Sequence, residues 1–159
     1  MQHEQFINQV VNIRADLSRF LIGLCCGDSM LADDIAQEAL IKAYLAIDKI
    51  ENQDKFKSWV FRIAYNTFIN NKRNRRLYLS EDELKSHQSR ERSDDYFRYE
   101  ELYMALNELP VTQRSVILLY YLQNYSVKEI ASILTVSEDS VRQHMTRGRQ
   151  QLKKLLTSN

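Results

Sequence analysis

Apolar residues recur every three or four positions over most of this chain. Phe6, Val10, Ile13, Leu17, Phe20, Leu21 and Leu24 predict a first amphipathic helix, which Gly23 and Gly27 are expected to end. A second helix is predicted from Asp28 or Ser29, either of which can cap it, to about Ile47, and a third from about Asp54 into the basic tract near Arg73. From Tyr78 to Asp95 the period gives way to Ser, Glu, Asp, Lys, Arg, His and Gln, the composition of a solvated tether. Periodicity returns at Tyr96 with Leu102, Ala105, Leu106 and Leu109; Pro110 stops that helix, and another is predicted from near Thr112. The pattern predicts an all-α chain of two small helical domains, residues 1–78 and 96–159, joined by a polar linker over 79–95.

At about 100° per residue, the second helix places Ala32, Ile35, Ala36, Ala39, Ala43 and Ile47 on one side. Asp34, Glu38, Ile41 and Leu45 form a stripe on the opposite side, with Gln37 beside it. Two readings fit the stripe: a solvated face with two stray apolar residues, or a docking surface for a basic partner, where apolar residues supply burial and carboxylates supply orientation. On the third helix Phe56, Trp59, Val60, Ile63 and Thr67 share a face, leaving Phe61, Arg62, Tyr65, Phe68 and Ile69 largely on the other. Aromatics on both sides suit a core packed from two directions. Exposed beside Arg62 and the cations Lys72, Arg73, Arg75 and Arg76, they would equally suit a platform for single-stranded nucleic acid.

Near the C-terminus the local grammar is that of a helix-turn-helix. Ser126-Val127-Lys128-Glu129 is a capping box for a short helix carrying Ile130, Ala131 and Leu134. Thr135-Val136 turns the chain, and Ser137 caps a longer helix whose first turn holds Glu138 and Asp139, favourable at its positive end. Val141, Met145, Gly148, Leu152 and Leu155 line its inner face, where Gly148 would allow close packing. Arg142, Gln143, Thr146, Arg149, Gln150 and Lys153 line the outer face, a mixture able to contact phosphates and base edges in a major groove.

Charge adds what hydropathy does not show. Residues 28–54 hold seven acids against two lysines, a net of −5, whereas residues 55–79 hold seven cations and no acid. Residues 80–108 return to −5 and 109–159 to +4, an alternation concealed by the overall +1. Three glycines and one proline in 159 residues disfavour a turn-rich β fold. Cys25 and Cys26 are adjacent and His3, His87 and His144 scattered, so no metal site or cofactor is expected and the thiols read as structural. No run approaches the roughly 18 apolar residues of a membrane span, and the polar start Met1-Gln2-His3-Glu4 is unlike a signal peptide. A cytoplasmic protein without membrane insertion is expected.

These residues resemble the extracytoplasmic-function (ECF) sigma factors of bacterial RNA polymerase over nearly the whole chain. Asp34 to Tyr44 is similar to the family's region two helix, Phe56 to Asn66 to its segment that opens and reads the minus-ten element, and Leu109-Pro110 with Arg114, Ser126–Leu134 and Val141–Arg149 to region four, which binds the minus-thirty-five element. Leu40, Asn70, Gln143 and His144 stand where the family commonly has Phe, Asp, Ser and Arg.

The resemblance implies that Asp34, Gln37 and Glu38 contact core polymerase, and the wheel adds Ile41 and Leu45 to that surface. It implies that Trp59, Arg62, Tyr65 and Asn66, with Arg73 from the basic cluster, serve the melted minus-ten strand. Arg142, Thr146, Arg147 and Arg149, with Gln143 from the outer face, would meet the upstream duplex. Implied partners are the clamp helices and flap of core RNA polymerase, promoter DNA and an anti-sigma factor. No catalytic site is expected. A duplex-binding helix-turn-helix regulator would leave the Asp34 stripe and the acid-free aromatic helix unexplained. A nucleic-acid-processing enzyme would need a carboxylate cluster or phosphate loop that is not seen.

Overall fold

The computed structural model describes residues 1–78 and 96–157; the predicted tether over 79–95 lies outside the described residues. The first group of helices is α1 (His3–Leu24), α2 (Ser29–Leu45) and α3 (Phe56–Tyr78). The second is α4 (Glu100–Glu108), α5 (Val111–Ile117), a π-helical turn over Leu118–Leu122, α6 (Val127–Leu134) and α7 (Glu138–Thr157).

In the first group Asp28 caps α2, its side chain accepting from the Leu31 amide at 3.1 Å. The predicted core face of α2 is buried at Ala32, Ile35, Ala39 and Ala43, and three alanines on one face let α1 and α3 approach closely. Leu17, Phe20, Leu21 and Leu24 of α1 and Phe56, Val60 and Ala64 of α3 close the core from either side. Fully covering each of the larger residues contributes about 1.5–3 kcal/mol. Helix α3 extends past its expected end near Arg73 to Tyr78.

The second group follows its predicted punctuation. Pro110 separates α4 from α5, and the Ser126 box is complete, with Glu129 N donating to Ser126 Oγ at 3.1 Å and Ser126 N to Glu129 Oε1 at 3.0 Å. Thr135 turns the chain in the left-handed conformation at φ 57°, and Ser137 Oγ accepts from the Ser140 amide. A Cβ at Gly148 would stand 3.0 Å from Ile117 Cγ1, which is the close helix packing expected of that position.

The end of α1 differs from expectation. Gly23 does not stop the helix, which continues through Leu24. Gly23 is buried, and a Cβ built on it would lie 2.8 Å from Leu118 Cδ2, in the second group. Gly27, at φ +93°, makes the actual turn, and a Cβ there would meet Tyr96 at 2.6 Å. Both glycines therefore provide room for the second group. A local reading could find only a helix stop, because the partner is about 95 residues away in sequence, Leu118 against Gly23.

That contact is one part of a seam along which the two groups share a continuous apolar cluster. Phe61 of α3 stacks on Phe20 of α1 and meets Tyr125 edge-on at 5.8 Å between centroids. Lys57 Nζ lies 5.9 Å over the Tyr125 ring and pairs with Asp16 at 2.7 Å. Hydrogen bonding to Lys57, then to Arg19, holds the Asp16 carboxyl below its usual range. Gln123 donates to the Asp16 carbonyl at 3.0 Å, and Arg114 donates to the Leu24 carbonyl at 2.7 Å. The described chain is thus two helical domains packed together, an arrangement that sequence periodicity left open.

Candidate protein and nucleic-acid interfaces

The outer stripe of α2 is bare. Asp34, Gln37 and Glu38 are exposed, Ile41 is 62% exposed and Leu45 78%. Two large aliphatic side chains left in water within a line of carboxylates make a surface with apolar centre and acidic edge. Glu38 is held by Lys42 at 3.3 Å, an exposed i,i+4 pair contributing only a few tenths of a kcal/mol. A basic partner could displace it at little cost.

On α3 the predicted nucleic-acid residues separate into two environments. Arg62, Asn66 and Arg73 are exposed along one stripe, and Trp59, half-buried against Phe56, stands at its edge. Phe61 is buried between Phe20 of α1 and Tyr125 of the second group, and Phe68 is buried as well, so these aromatics do not form an open platform. Tyr65 is half-buried, its hydroxyl engaged by the Thr112 side chain of α5. Burial raises the Tyr65 pKa and the hydrogen bond to Thr112 opposes the rise. At the end of the helix Lys72 is pushed down by burial and then by the neighbouring cations Arg76 and Arg114.

On α7 all five predicted duplex-contacting residues, Arg142, Gln143, Thr146, Arg147 and Arg149, are exposed. At 100° per residue Arg142, Thr146 and Arg149 share a stripe with Lys153. Arg147 lies further round, on a groove with Glu108 and Gln113. Arg142 is held by Asp139 at 3.1 Å and lies 3.8 Å from Glu138, so acids in the first turn neutralise it in the free chain. Arg149 Nη1 is within 3.2 Å of the Tyr121 hydroxyl, to which it donates. Sequence reasoning missed Tyr121 and Thr112: each touches a predicted site residue from a distant segment, and periodicity carries no signal of that.

Comparison with known proteins shows the family to which a chain with these surfaces belongs. Residues 10–78 match the family described as Sigma-70 region 2, and residues 99–152 match Sigma-70, region 4. The ECF RNA polymerase sigma factor SigM of Bacillus subtilis (strain 168) is 32% identical over 145 residues, covering 88% of this chain and 88% of SigM. The chain belongs to the ECF sigma factors. SigW of the same organism is also 32% identical, over 92% of this chain and 87% of its own length. Among solved structures, the sigma factor RpoE of Bartonella quintana, crystallised with the anti-sigma factor NepR, matches at a TM-score of 0.78 and 25% identity. The match covers 96% of this chain and 97% of that one. CnrH, in complex with the cytosolic domain of CnrY, has the same fold at a TM-score of 0.77 over 99% of this chain and 91% of that one, with 22% identity. As a sigma factor the chain serves transcription initiation. The region two match runs from residue 10 within α1 to the end of α3, and the region four match from just before α4 to residue 152 within α7. No described helix is long and apolar enough to cross a membrane.

Proposed function

We propose that this sigma factor docks on the clamp helices of core RNA polymerase through Asp34, Gln37, Glu38, Ile41 and Leu45. Region four, reaching the flap, sets α7 on the minus-thirty-five duplex through Arg142, Gln143, Thr146, Arg147 and Arg149. Trp59, Arg62, Tyr65, Asn66 and Arg73 then hold the melted minus-ten strand. The functional units are residues 1–78, a linker over 79–95, and 96–159. The observation that carries this reading is the pairing of an exposed acidic-apolar stripe on α2 with an acid-free, cation-rich α3 beside it.

Each part has a physical reason. Exposed aliphatics with acidic flanks suit a partner that buries the former and orients by charge. Bases trapped on aromatic rings stabilise an opened strand by about 1–3 kcal/mol each, without any chemical step. The likeness to RpoE, crystallised with the anti-sigma factor NepR, supports an anti-sigma factor as a further partner.

The test is transcription from the host's promoters by core polymerase with and without the chain. New start sites that depend on the chain are expected, and a set identical to that of core alone sinks the reading. Tyr65→Ala is expected to lower open-complex yield about 5- to 150-fold, the equivalent of one stacked base, while core binding is retained. Permanganate footprinting of the melted strand measures it; undiminished opening removes Tyr65 from the stacking role. Tyr121→Phe, which takes the hydroxyl from Arg149, is expected to weaken duplex binding about two- to fivefold, an exposed hydrogen bond being worth roughly 0.5–1 kcal/mol. Gel-shift titration on a minus-thirty-five duplex reads it.

A further inference from the structure

We propose that a cavity between the α1–α2 turn, the C-terminal end of α3 and α4 binds a nucleotide, with Lys72, Arg75 and Arg76 on its phosphates and Tyr96 and Tyr103 against its base.

The cavity holds about 530 Å³, within the range of small-ligand sites. Four cations line it, Lys72, Arg75, Arg76 and Arg114, against two carboxylates, Asp28 and Glu100. Lys72, Arg75 and Arg76 stand at i, i+3 and i+4, which brings them onto one face of α3. None of the three pairs with a described carboxylate, and Asp28 already caps α2. Burial, and then the cations Arg76 and Arg114, push the Lys72 ammonium down. Arg114 adds a second unmet demand. It is 5% exposed, and three of the five N–H donors of its guanidinium go to backbone carbonyls, which leaves two without a described acceptor. An anion in the cavity answers both, because it neutralises cations that repel one another and accepts from the unspent donors. Phosphate suits the task, since planar guanidiniums match its oxygens in pairs.

The rest of the lining supplies a different chemistry. Tyr96 and Tyr103 lie parallel, 5.8 Å apart between centroids and 5° between planes, and Leu31, Phe68 and Met104 complete the apolar part of the wall. The amides of Asn71 and Asn107 face the same space and bond to no other described residue. An inorganic anion would use only the cations. A flat heterocycle with hydrogen-bonding edges, joined to phosphate, uses the rings and the amides as well.

The test is calorimetric titration of the full chain with ADP and GDP, and separately with their nucleosides and with inorganic diphosphate. Each nucleotide is expected to bind about 5- to 150-fold more tightly than inorganic diphosphate, the equivalent of one stacked base. The nucleosides, lacking phosphate, are expected to bind at least tenfold more weakly than the nucleotides. Arg75→Gln/Arg76→Gln is expected to weaken nucleotides and inorganic diphosphate alike, by tenfold or more. Tyr103→Leu is expected to erase the preference for nucleotide while diphosphate binding stays as it was. Should Tyr103→Leu lose its helical circular dichroism, Asn107→Leu, at an exposed position, takes its place and is expected to cut the preference at least threefold. Cys25 and Cys26, the chain's only thiols, line the cavity, so saturating nucleotide is expected to slow their alkylation by iodoacetamide at least tenfold. Absence of both heat and thiol protection at millimolar ADP and GDP overturns the proposal. Inorganic diphosphate binding as tightly as the nucleotides does so too, as does nucleotide affinity unmoved by Arg75→Gln/Arg76→Gln. Affinity for single-stranded DNA that grows with its length, while neither nucleotide shields the thiols, would give the cations to DNA instead.

Discussion

Leu45→Asp is expected to reduce affinity for core polymerase about 30- to 1,000-fold while leaving the fold intact. Leu45 is 78% exposed and Ile41, one helical turn before it, 62% exposed, so a charge at residue 45 meets water in the free chain. Exposed substitutions of this kind normally change stability by less than about 0.5 kcal/mol. In the complex the same charge would be stripped of water at the apolar centre of the contact, where single residues commonly account for about 2–4 kcal/mol. Calorimetry or fluorescence titration against core polymerase, with a parallel melt, separates the two quantities. Unchanged affinity would mean that the exposed aliphatics of α2 are stray. A lowered Tm would mean that Leu45 packs within its own chain.

The largest effect on stability is expected from Arg114→Leu, a loss of about 3–5 kcal/mol. Arg114 is 5% exposed and donates to three backbone carbonyls: Nε to Leu106 at 2.9 Å, Nη1 to Leu24 at 2.7 Å and Nη2 to Leu109 at 3.2 Å. These carbonyls belong to the C-terminal ends of α1 and α4, where the backbone dipoles leave partial negative charge, which is how a buried guanidinium is tolerated with no ion pair to a described carboxylate. Leucine fills part of the volume but takes the charged donor from three carbonyls, of which only Leu106 keeps a backbone partner, the Leu109 amide at 3.1 Å; each of the other two costs about 1–3 kcal/mol, partly offset by the desolvation cost that the cation no longer bears. At about 2–4 °C per kcal/mol for a chain of this size, Tm should fall by roughly 10 °C. Arg114→Lys should fall in between, because one ammonium cannot match the diverging fork. A drop of less than about 3 °C for the leucine variant would show that the three bonds add little to what surrounding packing already holds.

The two predictions draw on features of unequal visibility in the sequence. The α2 stripe could be read from a wheel, since exposure on one helix depends on residues of that helix, and Ile41 and Leu45 stand where periodicity places them. The capping box at Ser126 and the outer face of α7 were equally local. Arg114 was visible only as part of a family resemblance; its chemistry depends on two helix ends brought together from residues 24 and 106–109. The aromatics of α3 show why periodicity stops short. It identified Phe61 and Phe68 as a second apolar flank but could not say whether water, DNA or another helix covers it. The structure covers Phe61 from two sides, by Phe20 of α1 and Tyr125 of region four, and it divides the proposed minus-ten residues, leaving Arg62, Asn66 and Arg73 exposed and Tyr65 half-buried. Gly23 was misread for the same reason.

The phenol of Tyr125 sits in that seam between Phe61 and Lys57, and its hydroxyl is buried with no hydrogen-bond partner among the described residues. Keeping such a group dry costs about 1–3 kcal/mol, which water returns when the ring is uncovered. The contact is therefore weaker than its apolar area alone would make it, by an amount fixed in one oxygen atom. Tyr125 makes the joint a latch rather than a weld.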